Sequence, residues 1–142
     1  MNTVKEILDS KGRDVWSIDA DASVFEAITR MAEKQIGALL VMDRGKLVGI
    51  VTERDYARKV ILEGRSSKKT PVRQIMESNV LCVGPEQTVE ESMALMTEKR
   101  VRHLPVLNGK NVDGIISIGD LVKAIIAEQK FIIEQLVHYI TG

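Results

Sequence analysis

Two short motifs in this chain place a hydroxyl three residues before an acid, at the point where an apolar run gives way to a helical pattern. They are Gly49-Ile50-Val51-Thr52-Glu53-Arg54-Asp55 and Gly114-Ile115-Ile116-Ser117-Ile118-Gly119-Asp120. Amides at a helix start lack intrahelical acceptors and carry partial positive charge, which suits phosphate. A carboxylate beside them can accept hydrogen bonds from two neighbouring ribose hydroxyls. The pattern therefore suits a nucleotide. The same spacing is also that of a capping box, in which hydroxyl and acid satisfy the backbone of their own helix. Ser23 with Glu26 and Thr88 with Glu91 use glutamate for that purpose. Aspartate is shorter and reaches back less easily, so an outward aim for Asp55 and Asp120 stays open beside the capping reading.

The two motifs lie at the ends of an internal repeat. Ile18 to Tyr56 overlays Val83 to Leu121 at a constant offset of 65 positions without a gap, matching Val24 with Val89, Glu26 with Glu91, Met31 with Met96, Gly49 with Gly114 and Asp55 with Asp120. Each copy is too short to bury a core alone, so the two are expected to form one module with approximate twofold symmetry. Val15 to Ile18 and Val80 to Val83 read as strands. The helices that follow place Val24, Ala27, Ile28 and Met31, and Val89, Met93 and Met96, at helical spacing. Ala38 to Met42 with Leu47 to Val51, and Leu104 to Leu107 with Val112 to Ile116 about Asn108-Gly109, read as hairpins. A last helix then begins after Thr52 and Ser117. The unit is strand, helix, strand, strand, helix, an α/β (α+β) fold. The expected boundaries are 1–64 for the first repeat with an N-terminal helix, 65–70 for a linker that Thr70 and an N1 Pro71 close, and 71–142 for the second repeat with a long C-terminal helix.

Twenty basic and twenty acidic side chains give a net charge of zero in 142 residues that are 44% hydrophobic. Bulk attraction to nucleic acid or anionic membrane is not indicated. No long uncharged apolar run is present, and a cytoplasmic protein is expected. Cys82 is the single cysteine, which excludes an internal disulfide and a thiolate metal cluster.

With its doubled unit and the Gly, two apolar residues, Thr or Ser, two residues, Asp ending, the chain resembles tandem cystathionine-β-synthase (CBS) domains over nearly its whole length. Val101-Arg102-His103-Leu104-Pro105-Val106 and the run from Thr52 to Lys59 resemble the small stand-alone bacterial CBS-pair proteins in particular. The resemblance implies two repeats packed with pseudo-twofold symmetry and two clefts for adenosine-containing ligands: AMP first, then NADH, ATP or ADP, and S-adenosylmethionine. It implies that Asp55 and Asp120 accept the ribose and that Thr52 and Ser117 stand beside ribose and phosphate. It also places adenine between Val15 and Ile36 in one copy and Val80 and Val101 in the other, with Ser17 and Cys82 on the same first strands. Ordinary core packing is the competing reading of those four apolar residues.

The copies differ where a phosphate would lie. The second has Arg102 and His103 where the first has Gly37 and Ala38, and the first has Arg54 where the second has Gly119. Arginine binds phosphate through planar, charge-assisted hydrogen bonds. No catalytic constellation, phosphate loop or metal-ligand cluster stands out, so binding without turnover is the expected activity. Two other readings compete with nucleotide sensing. Seven basic residues between Arg54 and Arg73 against Asp55 and Glu63 suggest RNA or DNA binding, although the aromatics form no stacking platform. A ligand-free assembly adaptor is the other. The last helix continues past Ile126 through Phe131, Ile132, Ile133, Leu136, Val137, Tyr139 and Ile140 without a counterpart in the first copy, which predicts a homodimer and leaves room for a regulated protein partner.

Overall fold

The computed structural model describes residues 2–141. In chain order its elements are α1 (Val4–Lys11), β1 (Ser17–Asp19), α2 (Val24–Lys34), β2 (Ala38–Asp43), β3 (Lys46–Thr52), α3 (Glu53–Tyr56), α4 (Val89–Lys99), β4 (His103–Asn108), β5 (Asn111–Ser117) and α5 (Ile118–Thr141). A π-helical turn, Ala57–Ile61, continues α3, and a short 3-10 turn spans Val72–Gln74. The chain divides into two compact units, Val15–Val80 on one hand and Met1–Asp14 with Leu81–Gly142 on the other.

In the first unit β1 pairs parallel with β2, and β2 antiparallel with β3. Ile18, Val24, Ala27, Met31, Leu39, Val41, Val51 and Val60 close its core. The hairpin turns at Arg44 and Gly45, both at positive φ. In the second unit β4 and β5 form the matching hairpin with Gly109 in the left-handed region. The register shifts fall at equivalent places, between Val41 and Met42 and between Val106 and Leu107. Gln35 and Arg100 end α2 and α4 in the same left-handed conformation.

The strand expected at Val80 to Val83 does not form; only a parallel bridge between Val83 and Val106 remains. Two prolines explain the loss. In the first unit the ladder extends through Leu40 N–H to Trp16 C=O at 3.2 Å and Ala20 N–H to Met42 C=O at 3.0 Å. The equivalent donors in the second copy are Pro105 and Pro85, which have no N–H. Only the inner bonds survive, Val83 N–H to Pro105 C=O at 3.0 Å and Leu107 N–H to Val83 C=O at 2.9 Å.

The segment grouping also differs from the sequence expectation. α1 inserts Val4, Ile7 and Leu8 into the core of the second repeat, beside Val106, Ile116 and Leu121. Residues 66–77 bond to the first repeat: Val24 N–H to Thr70 C=O, Val72 N–H to Ala22 C=O, and Arg73 N–H to Ala20 C=O. The second unit repeats these as Val89 to Asn2, Val4 to Gln87 and Lys5 to Pro85. Val4-Lys5-Glu6-Ile7-Leu8-Asp9-Ser10 and Val72-Arg73-Gln74-Ile75-Met76-Glu77-Ser78 thus hold equivalent places in the two units at an offset of 68, the first as helix α1 and the second opening with a 3-10 turn. Pro71 is extended and acts as the N-cap of the 3-10 turn rather than N1, while Thr70 Oγ1 donates to Ser66 C=O at 2.7 Å.

The repeat exposes one local mismatch. Ser92 on α4 is fully buried and its Oγ has no hydrogen-bond partner among the described residues; the first copy has Ala27 at that position. A buried unpaired hydroxyl costs about 1–3 kcal/mol. Ser92→Ala is therefore expected to raise stability by about 1 kcal/mol in urea unfolding, and a lower midpoint would show that the hydroxyl has a partner in solution.

Candidate functional site: two capped carboxylates

Both motif acids face their own backbone. Thr52 N–H donates to Asp55 Oδ2 at 2.9 Å, Thr52 Oγ1 donates to the same oxygen at 3.1 Å, and Asp55 N–H donates to Thr52 Oγ1 at 3.2 Å. In the second unit Ser117 N–H donates to Asp120 Oδ2 at 2.7 Å and Asp120 N–H to Ser117 Oγ at 3.2 Å. The expectation that aspartate reaches back less easily is corrected: the aspartates close their boxes, as Glu91 does with Thr88, whereas at Ser23 only the amide of Glu26 is bound. At Thr52 the extended N-cap backbone brings its own N–H close enough for the shorter side chain.

Capping also fills the helix starts. Glu53 N–H bonds to Gly37 C=O at 3.1 Å and Ile118 N–H to Arg102 C=O at 2.9 Å. Of the amides expected to receive phosphate, those of Arg54 and Gly119 have no acceptor among the described residues. The helix ends are therefore poorer anion sites than the sequence implied.

Each acid has one further neighbour that the sequence reading missed, a lysine. Lys59 Nζ lies 3.3 Å from Asp55 Oδ1 and donates to Ile75 C=O at 3.0 Å. Lys11 Nζ, from α1, donates to Asp120 Oδ2 at 2.7 Å and to Ile115 C=O at 2.9 Å. Lys59 sits one helical turn beyond Asp55 and was legible as an (i, i+4) pair. Lys11 lies 109 residues from Asp120, and nothing local announces it. Burial pulls the Asp120 carboxyl up, but the Lys11 hydrogen bond, the Ser117 amide and the attraction of Lys11 outweigh it and hold the group below its ordinary range.

The acceptor capacity left over differs between the copies. A carboxylate offers about four lone-pair sites. In Asp120 the cap and the lysine both use Oδ2, and among the described residues no donor is bonded to Oδ1; in Asp55 the cap uses Oδ2 and Lys59 approaches Oδ1. Both side chains are only 16% exposed.

Strand pairing brings a few of the other expected residues to these ends. Ala38 pairs with Thr52 and His103 with Ser117, which seats Gly37, Arg102 and His103 beside the caps. Ser17 lies on β1, beside β2. Val15, Ile36, Val80 and Val101 are all half-buried; Ile36 packs on the first core and Val101 on the second. Cys82 is half-buried as well, and burial pushes its thiol up. Arg54 and Arg102 are exposed. Among the described residues no group of His, Cys, Asp and Glu could hold a metal ion, and no helix is long and apolar enough to cross a membrane.

Residues 4–62 and 72–127 each match the CBS domain. The chain belongs to the CBS domain family. A solved protein with CBS domains from Burkholderia ambifaria is 56% identical, covers 89% of this chain and 96% of its own, and superposes with a TM-score of 0.87. The mitochondrial CBS domain-containing protein CBSX3 of Arabidopsis thaliana is 41% identical over 99% of this chain and 72% of its own length. A hexameric CBS-CP12 protein from bloom-forming cyanobacteria is 35% identical with a TM-score of 0.76, over 84% of this chain and 70% of its own. CBS pairs of this kind are regulatory ligand-binding modules.

Proposed function

We propose that this CBS pair is a non-catalytic sensor of an adenosine-containing ligand, with AMP the first candidate. The observation that carries the reading is the unspent Oδ1 of Asp120, on a carboxylate whose orientation is fixed by its cap. Capping and ribose recognition are compatible on this geometry: Oδ2 holds the helix, and Oδ1 retains lone pairs for a diol. The half-buried Val101 and Ile36 are apolar surface of the kind a base covers, and the exposed Arg102 and Arg54 are cations within the same motifs. At Asp55 a diol must share Oδ1 with Lys59, so the Asp120 site is read as the tighter of the two. A ligand signals only by preferring one arrangement of the protein over another. We read the module as self-associating, in keeping with the assembly of the cyanobacterial relative, and as acting in the cytoplasm on a protein partner.

The nucleic-acid alternative loses support because the basic cluster is largely engaged. Arg73 pairs with Asp21 and Asp43, Lys59 with Asp55, Arg65 with Glu63, and Lys68 lies over Phe25.

Titration calorimetry with AMP, ATP, NADH and S-adenosylmethionine tests the proposal. At least one is expected to bind, and Asp120→Asn is expected to weaken it at least tenfold while Asp55→Asn does less. Unchanged affinity in the double variant would move ribose recognition elsewhere. No binding and no thermal shift with any of the four would favour the adaptor reading.

A further inference from the structure

The long helix α5 has two apolar faces. One serves its own unit: Leu121 and Ala124 are buried and Ile125 packs on the same core. The other runs Val122, Ile126, Gln129, Ile133, Leu136, Ile140, in alternating steps of four and three residues. Its five apolar members are all exposed, from 43% at Val122 to 79% at Ile140. Alternating steps of this kind are the a/d seam of a left-handed coiled coil. The stripe rises about 27 Å along the helix, enough for several successive layers.

Three observations point to a second copy of this chain as the occupant. The exposed stripe, with Ile132, Val137 and Tyr139 beside it, presents on the order of 800 Å² of side chain, about what each partner contributes to a standard interface. The polar interruption is self-complementary, because the Gln129 amide carries both donors and an acceptor and can satisfy its own counterpart. The flanking positions add no charge pattern that would select a different partner: Lys123 and Lys130 lie on one side, while Ile132 and Tyr139 lie on the other. A parallel, in-register pair puts Gln129 against Gln129; an antiparallel pair centred on the stripe sets it against Ile133 and leaves a buried amide unpaired.

We infer that two copies associate through a parallel seam formed by Val122, Ile126, Gln129, Ile133, Leu136 and Ile140 of α5. This deepens the self-association read above and does not depend on nucleotide. Light scattering on the ligand-free chain at about 10 µM and higher is expected to give at least twice the chain mass, and Ile133→Glu with Leu136→Glu to return it to one chain. Far-UV circular dichroism of the variant reports whether the fold survives. In a Cys82→Ala background, Gln129→Cys is expected to form an intermolecular disulfide on mild oxidation, as facing seam positions do. An assembly whose mass ignores the glutamates overturns the seam and leaves self-association standing. An assembly without the disulfide overturns the parallel register. A wild type that stays monomeric overturns both readings, and co-sedimentation of that monomer with anionic phospholipid vesicles would assign the stripe to a lipid surface instead.

Discussion

Gly114→Val is expected to lower stability by about 2–3 kcal/mol through overpacking of the seat of α1, the upper part of the range for added core volume. A Cβ at Gly114 would stand 2.7 Å from Leu8 Cδ2 and 3.1 Å from Cδ1. Leu8 is fully buried, so it has little room to yield. Leu8→Ala alone is expected to cost about 2–5 kcal/mol by opening a cavity. Because each change removes the conflict that the other creates, the double variant is expected to fall short of the sum by at least about 1 kcal/mol. Gly49 provides the contrast. There a Cβ would meet Met76 Sδ at 2.6 Å and the backbone carbonyl of Glu77 at 3.0 Å. Trimming Met76 cannot move that carbonyl, so Met76→Ala should rescue Gly49→Val less completely. Urea midpoints of the single and double variants check both cycles; strict additivity at Gly114 and Leu8 would mean that α1 does not seat against Gly114 in solution.

The same pair of contacts shows what the sequence made legible and what it hid. The offset of 65 carries the hairpins, the helix starts and the two acids, because each of those rests on local patterns: an apolar alternation, a turn glycine, a hydroxyl three residues before an acid. The segment at Val4 to Ser10 and its counterpart at Val72 to Ser78 escaped because the spacer that follows differs by three residues, which breaks a gapless overlay. Sequence adjacency alone therefore attaches α1 to the first repeat, and nothing in that pattern signals the Leu8 contact with Gly114. The lost strand at Val80 to Val83 was readable in principle, since Pro85 and Pro105 remove the donors that its ladder needs. The direction of Asp55 and Asp120 was not readable. Capping box and ribose acceptor share one spacing, and only the N-cap backbone geometry decides that the aspartates close the box. Lys11 illustrates a harder limit, because its partner is set by the packing of α1 and by no periodicity in the chain.

Acid titration is expected to separate the structural role of Asp120 from its proposed role toward a ligand. The group is held below its ordinary range in the folded protein, where burial is outweighed by Lys11 and Ser117. In the unfolded chain it returns to about 3.9. A lowered folded value means that the unfolded state binds the proton more readily, so the stabilisation is complete above about pH 5 and is lost as pH falls through the folded value. Asp120→Asn keeps an oxygen for the Ser117 amide but loses the charge that Lys11 meets. Its cost at pH 7 is expected to be about 1–2 kcal/mol, from the charge-assisted part of the cap and a lysine contact discounted because Lys11 is 35% exposed. As pH falls from about 5 through the folded value of Asp120, the wild type should lose stability faster than the variant, until their urea midpoints approach one another. Lys11→Met should remove part of the same slope while leaving the cap intact. Parallel curves for wild type and Asp120→Asn would show that the Lys11 contact contributes nothing in solution, and would free for a ligand the lone pair of Oδ2 that Ser117 does not use. Nucleotide affinity at pH 7 then answers the separate question: a variant that keeps most of its stability but loses binding assigns Oδ1 to the ligand, whereas equal losses in both assign Asp120 to its helix alone.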